Sequence, residues 1–116
     1  MMSLWKWNDV ELEVDFEDVE FCKRYESVFD KLEKEEQEVK ETEKRSEFLE
    51  KYCNMYWELF DKLFGSGTAE KLFDKKKHIG QCECCFDSFI SFCAKQVNES
   101  NKKRMTKISK YKVIEK

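Results

Sequence analysis

His78, Cys82, Cys84 and Cys85 lie within a few residues of one another and are the side chains of this chain best suited to chemistry. On a helix, His78, Cys82 and Cys85 share a face, and thiolates with an imidazole are common zinc donors. A structural zinc site normally takes four ligands, often from two separated pairs, and the sequence holds no second Cys-x-x-Cys pair. Cysteine also packs as a small buried hydrophobe, and Cys82 and Cys85 fall on an apolar helical stripe. The expectation is therefore six free thiols (Cys22, Cys53, Cys82, Cys84, Cys85 and Cys93), with no metal and no cofactor. His78 is the single histidine, adjoins Lys75-Lys76-Lys77, and has no nucleophile or carboxylate partner by motif. No enzyme is expected.

Two further groups could bind phosphate. Lys102, Lys103, Arg104 and Lys107, followed by Lys110 and Lys112, could contact a polyanion without sequence preference and with strong salt dependence. They sit beside an acidic body and bring no recognisable reading motif, so nucleic acid is not the expected partner. The Gly65-Ser66-Gly67-Thr68 stretch lacks the Gly-x-x-x-x-Gly-Lys-Ser/Thr pattern of a phosphate loop. It reads instead as a joint between helices: Gly65 tolerates the positive φ that closes one helix, and Thr68 is placed to cap the next.

The whole chain of 116 residues is 41% charged and 15% aromatic, with a net charge of −3 and no proline. That composition fits one domain with a small core of large side chains and a wet helical surface. No run approaches the roughly 18 apolar residues of a membrane span, and the first residues lack the apolar block of a signal peptide. The expected location is the cytoplasm in which the chain is made. Charge divides along the sequence. Residues Asn8 to Glu50 carry 17 acidic and 7 basic side chains, a balance of −10. Ser100 to Lys116 carry 7 basic and one acidic, a balance of +6. An acidic body with a basic end suggests a tail that is solvated, folds back, pairs with a neighbouring subunit or meets an acidic partner.

Val10, Leu12, Val14 and Phe16 alternate with acids in the period of a half-buried strand. Trp5 and Trp7 share that spacing across Asn8-Asp9, a two-residue hairpin turn. From Asp18, Cys22, Tyr25, Val28, Phe29 and Leu32 trace one helical face. The charged run Glu33 to Glu47 continues as solvated helix, with a loop near Glu41 to Ser46. A second helix carries Phe48, Leu49, Tyr52, Cys53, Tyr56, Leu59, Phe60 and Leu63, with Trp57 widening the stripe. A short helix, Thr68 to Phe73, follows the glycine joint. A last helix runs from about Gln81 to Glu99, beyond which Met105, Ile108 and Tyr111 could add an amphipathic turn or two. The expected fold is α+β and helix-dominated: an N-terminal β-hairpin on a three- or four-helix bundle spanning residues 1–99, then a basic, partly disordered tail over 100–116.

Phe64-Gly65-Ser66-Gly67-Thr68-Ala69-Glu70-Lys71-Leu72-Phe73, together with the opening Trp7 to Phe16, resembles an uncharacterised family of Firmicutes phages and prophages. The opening is similar also to the strand pair that begins many siphophage tail assembly chaperones. The resemblance implies a tail-morphogenesis interaction protein in the cytoplasm of a bacterial host, shielding apolar surface of the tape measure or tail tube protein. It brings no catalytic motif. The side chains expected at such an interface are Trp5, Trp7, Tyr56, Trp57, Phe64 and Phe73, and the excess of aromatics for so small a core suggests a homo-oligomer. The alternative is a small phage regulatory or anti-defence protein that binds its target by charge complementarity.

Overall fold

The computed structural model describes residues 3–41 and 43–114, the last five of these as helix backbone only. Two strands, β1 (Ser3–Trp7) and β2 (Val10–Val14), are followed by four helices: α1 (Val19–Val39), α2 (Arg45–Phe64), α3 (Thr68–Leu72) and α4 (Ile79–Ile114). The strands pair antiparallel, with Trp5 opposite Leu12 and Trp7 opposite Val10. Asn8 and Asp9 both take positive φ, 47° and 63°. That is the type I′ geometry whose twist suits a two-residue hairpin. The alternation then lays Trp5, Trp7, Val10, Leu12 and Val14 on the face toward the helices. Phe16, expected on the strand, lies just beyond it but still packs on the core.

Asp18 caps α1 by accepting from the Glu20 N–H at 3.1 Å, as its side chain and position predict. The face that α1 buries is turned from the expected one. Phe21, Val28 and Leu32 are buried, with Tyr25 and Phe29 partly so, whereas Cys22 sits at the rim and donates its S–H to the Phe16 carbonyl. Phe21 removes far more apolar area from water than Cys22 would, and that difference sets the rotation of the helix. On α2 the buried residues are Cys53, Met55, Tyr56, Leu59, Phe60 and Leu63, of which Met55 lies outside the expected stripe.

Gly65 ends α2 at φ 113°, and its N–H bonds the Asp61 carbonyl. The next helix is not capped by Thr68. Its hydroxyl turns back to donate to the Gly65 carbonyl at 2.7 Å, and Gly67 occupies the cap position in a left-handed conformation. Asp61 on α2 supplies the acceptor instead, taking the Ala69 N–H at 2.8 Å. After α3, Asp74 and Lys75 both adopt positive φ, 51° and 59°. Lys75 N–H closes back on the Glu70 carbonyl, as in a Schellman turn.

Phe89 on α4 is fully buried and meets rings from three other elements: Trp5 of β1 at 5.1 Å, Tyr25 of α1 at 6.4 Å, and Phe60 and Phe64 of α2 at 5.4 and 5.8 Å. Such offset and edge-on pairs add to simple area burial. The helix that carries it does not stop at Glu99. It runs unbroken to Ile114, so the basic segment in which one or two amphipathic turns were expected is helical through residue 114, with residues 101–109 all solvent-exposed. Lys, Arg and Met are good helix formers, and no glycine or proline after Gly80 interrupts them. Tyr111, Lys110 and Lys112 fall where side chains lie outside the described residues.

Candidate functional site

Of the aromatics expected at an interface, three are spent inside. Trp5, Tyr56 and Phe73 are 2%, 6% and 2% exposed and belong to the core. Trp5 lies flat against Phe60 at 5.7 Å and donates its indole N–H to the Ser88 hydroxyl at 3.2 Å. Trp5 is buried where the hairpin docks on Phe60 and Phe89, Tyr56 is covered by Phe86 of α4, and Phe73 packs on Trp57 and Phe60 of α2. Phe64 is half-buried between Phe21 and Phe89. Trp57 is also half-buried, stacked on Phe73 and covered on its ring by the Lys77 ammonium at 5.6 Å. Its buried N–H meets no oxygen or nitrogen acceptor and lies beside the Cys82 sulfur. Trp7, half-buried at the end of β1, borders open space.

That space is an open cleft of about 540 Å³ between the hairpin turn and the start of α4, lined among others by Trp7, Asn8, Phe73, Lys76 and Gln81. Asn8 Nδ2 donates to the Leu72 carbonyl at 3.3 Å and fixes the turn to the end of α3.

The thiol cluster separates rather than converges. Cys82 and Cys85 are fully buried, whereas Cys84 and His78 face solvent. Burial, with Cys53 alongside, pushes the Cys82 thiol up to about 12 against the opposing pull of the Trp57 N–H. Burial also pushes Cys93 up to about 12 and raises Cys85 further. These are protonated, inert thiols at neutral pH. His78 Nδ1 accepts the Gln81 N–H at 3.2 Å at the start of α4, which is the work of a helix cap. Gly80 leaves room for that ring, since a Cβ there would stand 3.0 Å from His78 Cε1. Among the described residues, no group of three His, Cys, Asp or Glu side chains could hold a metal ion.

The basic residues of α4 lie on an exposed arm. Lys102, Lys103, Arg104 and Lys107 are all solvent-exposed, and Arg104 turns back to pair with Glu17. Ser100 donates to the same carboxylate at 3.1 Å. Beyond this clasp, Met105 and Ile108 stand 64% and 49% exposed. At the root of the arm an open notch of about 340 Å³ is lined by Phe16, Cys22, Tyr25, Glu26, Val97 and Asn101. Met105 and Ile108 stand out in the sequence, but the notch does not, because it forms only when Phe16, the first turns of α1 and the middle of α4 are brought together. Burial pushes the Tyr25 hydroxyl on its wall up to about 12, with Cys93 adding to the shift.

None of the described helices is long and apolar enough to cross a membrane. No curated protein and no solved structure matches the chain. One family does, over residues 8–115, which is nearly the whole length. The chain accordingly belongs to DUF6673, a family of unknown function.

Proposed function

We propose that this protein is a non-catalytic interaction protein of phage tail assembly, which shields apolar surface of a tape measure or tail tube protein in the bacterial cytoplasm until assembly. The resemblance of the hairpin and the glycine joint to tail-module proteins supports the partner class. The observation that carries the binding mode is the two-stranded sheet. With the aromatic helical face consumed by the core, the hairpin is the element left to receive a client. No third strand is hydrogen-bonded to β1 or β2 among the described residues. In an antiparallel pair, alternate residues direct backbone groups out of the ladder. A client strand could pair there, beside Leu4, which is 48% exposed on the outer face.

Co-expression with the tape measure or tail tube protein of the same genome tests this reading. The client's soluble yield should rise, a complex should be isolable, and Leu4→Asp should abolish the gain while leaving the fold intact. Failure to raise the yield of either protein would sink it. The runner-up, a regulatory or anti-defence protein acting by charge, is favoured by the exposed basic residues of α4. It would be revealed by a complex that dissolves at moderate salt.

A further inference from the structure

We infer that α4 is a dimerisation arm: two copies associate antiparallel about a two-fold axis, each seating Ile108 and Met105 in the notch at the root of the other's arm. Four observations converge on this geometry. From Asn101 to Ile114 the helix is roughly 20 Å long at 1.5 Å per residue. Its turns propagate from the packed half of α4 and need no new nucleus, but their apolar side chains stay in water unless something covers them. Among the described residues, Met105 and Ile108 are two of the four large apolar side chains left exposed. At 3.6 residues per turn, Val97, Asn101 and Ile108 fall on one face, with Met105 at its margin. The notch opens on that same face, because Val97 and Asn101 line it.

An antiparallel crossing close to Lys103 sets Val97 and Asn101 of one copy opposite Ile108 and Met105 of the other. The contact is isologous and closes on itself, as most soluble homodimers do. Charge selects the same partner. Phe16, Tyr25 and the acidic Glu26 line the notch, and Asp18 and Asp15 lie near enough to its Cys22 that their charges, with that of Glu26, reinforce the effect of burial in raising the thiol. Lys107 of an incoming arm flanks the apolar face and meets this acidic rim. Lys102 and Lys103 point away from the crossing, while Arg104 lies on the crossing face with its charge taken up by Glu17 of its own copy. The client edge of the hairpin takes no part, and the inference stands apart from the proposed tail function.

Light scattering and chemical cross-linking test the arrangement on the full chain. The intact protein should run at twice its 14.1 kDa chain mass. Met105→Asp combined with Ile108→Asp should return it to 14.1 kDa with an unchanged near-UV circular dichroism spectrum. In an Ile108→Cys variant lacking the exposed Cys84 (Cys84→Ser), a short bismaleimide should join the introduced thiol of one copy to Cys22 of the second. A further Cys22→Ser change should abolish the covalent dimer. Leu4→Asp should leave the dimer intact, which separates this surface from the client edge. A chain that is monomeric at every concentration, a dimer indifferent to the paired aspartates, or one that forms only when heparin is added would each overturn the inference.

Discussion

Gln96 on α4 donates its side-chain N–H to the Val14 carbonyl at 2.8 Å, and its oxygen accepts the Phe16 N–H at 2.7 Å. One buried amide, 6% exposed, thereby satisfies two backbone groups where the chain leaves β2. Hairpin and long helix are joined at this point by paired hydrogen bonds as well as by packing. Replacing Gln96 with Ala strands a donor and an acceptor in a site closed to water, and each such group costs about 1–3 kcal/mol. Gln96→Ala should lower stability by about 2–4 kcal/mol in chemical denaturation. Gln96→Glu should restore only the contact to Phe16. An alanine variant as stable as the parent would show that water reaches the strand end.

Phe89 is the ring shared by four elements, so truncating it opens a cavity that none of them can close alone. Phe89→Ala should cost roughly 3–5 kcal/mol, and Phe60→Ala a similar amount. Thermal or urea unfolding checks both. Because the two rings touch, the double variant should cost less than the sum of the singles.

Asp61 caps α3 across the glycine joint. Asp61→Ala should cost about 0.5–2 kcal/mol, while Thr68→Ala, which loses only a hydroxyl contact to Gly65, should cost less. Denaturant midpoints of the two variants give the order directly. The reverse order would mean that Thr68 is the working cap.

Thiol reactivity should divide by position. Cys84 should react with a colorimetric disulfide reagent within the mixing time, Cys22 more slowly, and Cys53, Cys82, Cys85 and Cys93 only on unfolding. Prompt reaction of more than two thiols in native buffer would contradict the burial of the other four.

Alkaline pH should unfold the protein. Cys82 and Cys93 are raised from 9.0 to about 12 by burial, so the folded state keeps protons that the unfolded chain gives up. The stability they confer is complete below their unfolded value near 9 and is lost as pH rises toward 12. Tyr25, raised to about 12 from 10.0, adds to the same decline. Urea midpoints should therefore fall steadily from pH 9 upward, and replacing Cys93 with Ala should flatten part of that slope.

The hairpin is legible in the sequence because a period of two and an Asn-Asp turn leave little choice of register, and each side chain's face follows. The helix after Asp18 is legible in extent but not in rotation. Cys22 and Phe21 are neighbours, and the pattern alone does not show that the larger Phe21, packed between Phe16 and Phe64, is the one turned inward. The aromatics mislead for the same reason. A stripe as broad as Tyr52 to Phe64 does not declare which part will be covered: α4 closes over Tyr56 with Phe86, and the hairpin closes over Phe60 with Trp5. The end of α4 escapes a reading by pattern because apolar periodicity thins after Val97, while helix propensity does not. The notch has no local signature at all, since Phe16, Tyr25 and Val97 do not neighbour one another along the chain.

The continuity of α4 has a mechanical consequence. A helix without glycine or proline beyond Gly80 offers no hinge, for sharp bends in helices arise at such residues or at inserted bulges. The arm is thus a lever with its fulcrum at Gln96 and its short end set among the rings around Phe89. A sideways pull on the exposed end is converted into torque on the ring cluster and on the hairpin that Trp5 anchors there. A load on the exposed end is therefore borne at Gln96 and Phe89 rather than absorbed in a bend along the arm.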